Sequence, residues 1–153
     1  MKTHETPNSL THIDHEGKAT MVDVSEKIVS TRTAIAKSLV KMKPDTLEKI
    51  IKNEFEKGDV LSVAKIAGIM GGKQTSDLIP LCHPLQLTHL DIDFEIDKEN
   101  SQILIIATAK ISSQTGVEME ALTAASVCAL TVYDMCKAID KKLKIETWLS
   151  YKS

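Results

Sequence analysis

The chain has 153 residues, 42% hydrophobic and 26% charged, enough for one domain with a core of its own. Its 19 basic and 21 acidic residues give a net charge of −2, which argues against a general nucleic-acid binder, whose balance runs strongly basic. Three cysteines without C-x-x-C spacing, no N-terminal apolar signal and no run of about 18 apolar residues point to a reduced, cytoplasmic protein without a membrane span.

Residues 1–17 are polar and rich in His, Thr and Asn, and read as a flexible arm ahead of a single domain over residues 18–153. Residues 19–25 suit a short extended piece. Residues 31–42, with Ile35, Leu39 and Val40 set among Arg32, Lys37 and Lys41, read as a strand. Pro44 opens a helix whose Leu47, Ile50, Ile51 and Phe55 recur at helical spacing, and Gly58 stops it. Asp59 caps a second helix with Val60, Val63, Ala64, Ala67 and Met70 as its apolar stripe, ended by Gly71-Gly72. A loop with one helical turn follows, fixed by Pro80 and Pro84.

Residues 90–96 alternate cleanly, Leu90, Ile92, Phe94 and Ile96 against Asp91, Asp93 and Glu95, as a strand with one buried face does. A turn at residues 97–101 leads into a returning strand over 102–112. A long helix covers 116–139, and a last strand covers 143–151. The order β-αα-β-β-α-β predicts an α+β fold, a ferredoxin-like antiparallel sheet with helices packed on one face.

Four groups carry candidate chemistry. In the long helix, Asp134 and Lys137 are the only charges between residues 121 and 139, and at i, i+3 they are neighbours. An ion pair at a fraying C-terminal turn accounts for them. Yet the helix is apolar nearly all round, so it is expected to be buried by its sheet and by a second subunit. That would leave the pair partly desolvated and suited to acid–base work. Glu118 and Glu120 suit a helix N-terminus. In an extended segment their i, i+2 spacing would aim both carboxylates one way, at a guanine-like N–H edge. His83, between Cys82 and Pro84 in a Pro-bounded loop, is able to shuttle protons or simply be satisfied by backbone groups. Lys57, Lys73, Lys137 and Lys152 fall at element ends, where converging ammonium groups would bind a polyphosphate, although G-x-x-x-x-G-K-[ST] spacing is absent. The histidines show no metal-ligand spacing, so a metal-free site is expected.

Three strings occur together in order: MVDVS, KGDVLSVAKIAGIMGGKQTSDLIPLCHPL and TGVEMEALTAASVCALTVYDMCKA. In this combination the chain resembles the MoaC family from about Leu10 to Ser153. The resemblance implies conversion of a cyclic dihydro-GTP intermediate to cyclic pyranopterin monophosphate, with release of pyrophosphate, in molybdenum cofactor biosynthesis. It implies a ferredoxin-like fold, a homohexamer built as a trimer of dimers, and a site at a subunit interface. It makes Asp134 the catalytic residue with Lys137 as its partner and places Glu118 at a pocket position. The chemistry of ring opening and re-closure needs general acids and bases, which Asp134, Lys137, Glu118 and His83 are able to supply. Substrate contacts fall on Leu81, Cys82, His83, Met119 and Glu120, with Arg32, Lys57 and Lys73 for the phosphates. Lys152-Ser153 matches the start of a Lys-Ser-Gly-Gly-Lys-Ser-Gly segment implied to close on the phosphates. No cofactor is implied, and Mg²⁺ would enter only with the triphosphate. Two other readings fit the residues: a ligand-binding regulatory module without turnover, and a structural hexamer whose Asp–Lys pair is an interface salt bridge.

Overall fold

The computed structural model describes Ala19 and residues 29–153, so the expected arm over residues 1–17 and most of the extended piece at 19–25 lie outside the described residues. The elements run β1 (Ser30–Lys41), α1 (Pro44–Ile51), α2 (Val60–Lys73), α3 (Thr75–Leu78), β2 (His89–Asp97), β3 (Gln102–Ser113), α4 (Glu118–Cys136) and β4 (Lys144–Lys152). The four strands form one antiparallel sheet in the order β2-β3-β1-β4. The fold is α+β.

Alternation along the central strands decides the core. Ala34, Ala36, Ser38 and Val40 of β1 are fully buried, as are Ile103, Ile105, Ala107 and Ala109 of β3. The register sets Ala34 opposite Ala109, and Ala36 opposite Ala107, so they share one face. Small side chains there let α4 lie close, and it answers with Ala121, Ala124, Ala125, Cys128, Ala129 and Val132. The opposite face carries Ile35, Leu39, Leu104 and Ile106, all partly buried, with the exposed Trp148 and Tyr151.

Two helices depart from their sequence patterns. The first ends at Ile51, short of Phe55, because Asn53 takes a left-handed backbone (φ 56°) that a right-handed helix cannot contain. In the second, the Gly71-Gly72 pair does not end the helix, which runs on to Lys73. The buried stripe of α2 is Val60, Ala64, Gly68, Gly71 and Gly72, while Val63 and Met70 are exposed. Packing outweighs glycine's poor helix propensity here. A Cβ on Gly68 would meet the Ala124 carbonyl oxygen at 2.8 Å and Cys128 Cβ at 2.9 Å, and one on Gly71 would meet Val127 at 2.7 Å. The glycines thus set how near α2 comes to α4.

Two features fix the ends of the sheet. Asp140, 3% exposed, joins the turn after α4 to the start of α1. Its carboxylate accepts from the Lys43 N–H and the Thr46 hydroxyl, both at 2.9 Å, and from the Lys142 N–H at 3.3 Å. Burial works to raise its pKa, but these donors outweigh it and hold the carboxyl below its usual range. In β4 the register shifts: Leu149 pairs with Ala36 and Tyr151 with Ile35, which leaves Ser150 without a partner in the ladder. This β-bulge turns Lys152 onto the helix-covered face, opposite Ala34.

Candidate active site

A cavity of about 320 Å³ opens where β1 begins, β3 and β4 end and α4 starts. That is the lower end of the range for small-molecule sites. Arg32 and Lys152 form one wall. Arg32 pairs with Ile111 and so lies on the same face as Ala34; Lys152 reaches that face through the bulge. Ser153 secures the strand end, its N–H donating to the Thr33 carbonyl (2.9 Å) while its Oγ accepts from the Thr33 N–H (2.8 Å). Leu81, Cys82 and His83 form the second wall, on the loop after α3.

The first turn of α4 supplies the third wall, Glu118, Met119 and Glu120. The segment is helical, so the extended i, i+2 arrangement expected for the two glutamates does not occur, yet both line the cavity. Glu120 is only 4% exposed, and the Cys82 thiol donates to its Oε2 at 3.7 Å. Burial raises the Glu120 pKa, and the nearby Glu118 charge adds to it. Burial, together with the Glu120 carboxylate, pushes the Cys82 thiol up to about 11. Cys82 is therefore a neutral donor near pH 7 rather than a thiolate nucleophile. The cavity is polarised, with cations on the β1–β4 side and carboxylates at the helix start. Among the described residues, Arg32 Nε and Thr115 Oγ1 are buried side-chain atoms without a hydrogen-bond partner, and both residues line this cavity. They are ready contacts for an oxygen-rich ligand.

A second cluster sits at the other end of α4. Lys137 Nζ and Asp134 Oδ1 are 2.9 Å apart. The hydrogen bond from Lys137, then its charge and that of Lys57, hold the Asp134 carboxyl below its usual range, and the same bond raises Lys137. The expected partial desolvation is absent within the chain: the side chains are 62% and 53% exposed. The reason is helical phase, since Val132, Met135 and Cys136 take the buried face of that turn. At 1.5 Å per residue, Asp134 lies roughly 24 Å along the helix from Glu118.

The structure thus gathers Arg32, Leu81, Cys82, His83, Glu118, Met119, Glu120 and Lys152 around one cavity, and groups Asp134, Lys137 and Lys57 elsewhere. Lys73 is exposed at the C-terminal end of α2, beside Gly72, which packs near the Glu120 backbone, and it does not line the cavity. Leu85, Gln114, Thr115 and Gly116 line it without having been singled out from the sequence, and so does Ser153, which the sequence marked only as the start of the segment implied to close on the phosphates. Residues 114–116 join a strand to a helix that carries two candidate carboxylates, and that junction was the available signal. Among the described residues no group of three or more His, Cys, Asp or Glu side chains is placed to hold a metal ion, and no helix is long and apolar enough to cross a membrane.

Residues 21–152 match the MoaC family. The chain belongs to that family. Among curated relatives, a protein of Natranaerobius thermophilus is 53% identical over 139 residues, 91% of this chain and 87% of the relative. Proteins of Clostridium perfringens (strain SM101 / Type A) and Syntrophomonas wolfei are each 56% identical, over 138 and 137 residues, in both cases 90% of this chain and 87% of the relative. All three are named cyclic pyranopterin monophosphate synthase.

Proposed function

We infer that the chain is a pyrophosphate-releasing lyase that converts the cyclic dihydro-GTP intermediate to cyclic pyranopterin monophosphate in molybdenum cofactor biosynthesis. The family match over residues 21–152 carries this reading, and the polarised cavity suits it. A purine-derived ring with N–H donors fits the Glu118–Glu120 side, and phosphates fit the Arg32–Lys152 side. Ring opening and re-closure require proton transfers, assigned to Asp134, Lys137, Glu118 and His83. Departure of pyrophosphate requires positive charge, assigned to Arg32, Lys57, Lys73 and Lys152. Leu81, Cys82 and Met119 shape the pocket. The scheme uses no protein-bound cofactor, and any Mg²⁺ rides on the triphosphate.

The two residue clusters lie too far apart to serve one substrate within one chain, so the site is completed by a neighbouring copy. The fold is read as ferredoxin-like, supported by the strand order, and the assembly as a homohexamer built as a trimer of dimers. Support for association comes from apolar surface that the described residues leave open: the free sheet face with Trp148 and Tyr151, and the helix face with Ile66, Met70 and Leu130, 61%, 55% and 59% exposed. Residues 18–153 form the catalytic domain, acting in the cytoplasm.

The test is pyrophosphate release from the cyclic dihydro-GTP intermediate by this chain and by Asp134→Asn, both at matched oligomer size. Release by the parent alone supports the reading. Binding without release by the parent would favour a regulatory module, and loss of assembly in the variant a structural ion pair.

A further inference from the structure

The junction between β3 and α4 holds a glycine whose missing side chain is filled by a carboxylate. A Cβ built on Gly116 would collide with Glu118 Oε2 and would lie 3.1 Å from its Cδ and 3.3 Å from its Oε1. The Glu118 carboxylate is folded back over the Gly116 Cα, at the cavity wall that both residues line. Among the described residues the three atoms nearest that position all belong to Glu118, in contrast to Gly68, Gly71 and Gly72, whose nearest neighbours belong to other elements. Nor does the backbone require glycine: among the described residues the glycine with positive φ is Gly58. A positive φ does not account for glycine at 116, and the nearest atoms that its hydrogen makes room for are those of the Glu118 carboxylate.

We propose that Gly116 is a positioning residue for the proposed reaction, holding the Glu118 carboxylate folded against the cavity wall by leaving the space that carboxylate occupies. This rests on the reading of Glu118 as an acid–base group given above. Any side chain at 116 forces the carboxylate to swing by about an ångström, a displacement large enough to cost up to about a hundredfold in rate when it falls on a catalytic group. The displaced atoms are the far end of a flexible side chain, so the fold does not resist the swing. A substitution at 116 therefore separates catalysis from folding.

The experiment compares pyrophosphate release by the full chain with Gly116→Ala, Glu118→Gln, Glu118→Asp and the double variant Gly116→Ala/Glu118→Asp, each checked for thermal midpoint and oligomer size. Gly116→Ala is expected to keep its midpoint and assembly, to lose about tenfold to a hundredfold in kcat, and to keep KM within about threefold. The shorter Asp carboxylate retracts from the new methyl group, so the double variant should turn over faster than the product of the two single effects predicts. Wild-type kcat in Gly116→Ala, a loss confined to KM, or a midpoint lowered by several degrees would overturn the proposal. If Glu118→Gln retains wild-type turnover, the acid–base assignment of Glu118 falls and the positioning role falls with it. If Glu118→Gln is dead while Gly116→Ala is unaffected, the assignment stands and only the positioning role is lost.

Discussion

A site divided between the two ends of α4 can be tested by mixing broken subunits. Co-expression of differently tagged His83→Ala and Asp134→Asn chains produces oligomers in which the copies pair at random. The first lesion destroys the cavity end, the second the acid–base end. Within one chain these ends stand roughly 24 Å apart along the helix, so each working site would take its cavity from one copy and its acid from the next. A site is intact only when the Asp134→Asn chain supplies the cavity and the His83→Ala chain supplies Asp134, which random pairing provides about one time in four. The mixture should therefore release pyrophosphate at about 25% of the wild-type rate per chain, whereas either variant alone should be nearly silent. The result does not depend on the final number of subunits. A mixture no more active than its parents, with hetero-oligomers shown by two-tag capture, would refute the division and require one chain to hold the whole site.

Three further outcomes follow from the geometry. Asp140→Asn weakens a carboxylate that takes three donors, and should cost about 1–3 kcal/mol by urea unfolding. The folded pKa of Asp140 is depressed, so its stabilising contribution is complete above about pH 4 and disappears as pH falls through the folded value; the deficit should therefore shrink in acid. Glu120 is the opposite case, its folded pKa raised above the unfolded one, so ionising it costs stability as pH rises through that interval. Glu120→Gln should raise the thermal midpoint at pH 7, not at pH 3, while impairing substrate binding. Gly68→Ala drives a methyl group onto the Ala124 carbonyl and Cys128 Cβ, and should lower stability by about 1–3 kcal/mol, measured by thermal or urea unfolding. Equal stability there would mean that α2 can shift away from α4 freely.

Local pattern made much of the fold legible. The strands were found within a residue or two of their ends, β3 most directly because its alternate residues fill the core. In β1, by contrast, Ile35 and Leu39 lie on the face away from the core and small residues fill the core side. Proline and aspartate signals located the starts of α1 and α2. What the pattern missed depends on contacts between distant residues. Gly71-Gly72 looks like a stop until Val127 and Leu90 are seen packed against it. Glu120 suits a helix N-terminus in the sequence, and its burial shows only once the Cys82 thiol is seen donating to it across the cavity. The motif strings found most of the cavity residues by family resemblance, but they merged two clusters that one chain keeps apart. Residues 114–116 escaped notice because their contribution is space and backbone, which side-chain chemistry does not announce.

The unpaired Ser150 gives the last strand a parity. From Lys144 to Leu149 the chain counts faces in one phase, and from Tyr151 onward in the other. Were Ser150 drawn into the ladder instead, the positive charge next to Arg32 would project from the far side of the sheet and the Tyr151 phenol would take its place in the cavity. Loss of Ser150 itself would remove only the bulge, leaving Leu149, Tyr151 and Lys152 paired in unbroken alternation with Ala36, Ile35 and Ala34 and the ammonium in place. Straightening the strand with Ser150 kept would exchange that ammonium for a ring at the mouth of the cavity. A property that looks like residue identity, the cation beside Arg32, is in this strand a matter of counting.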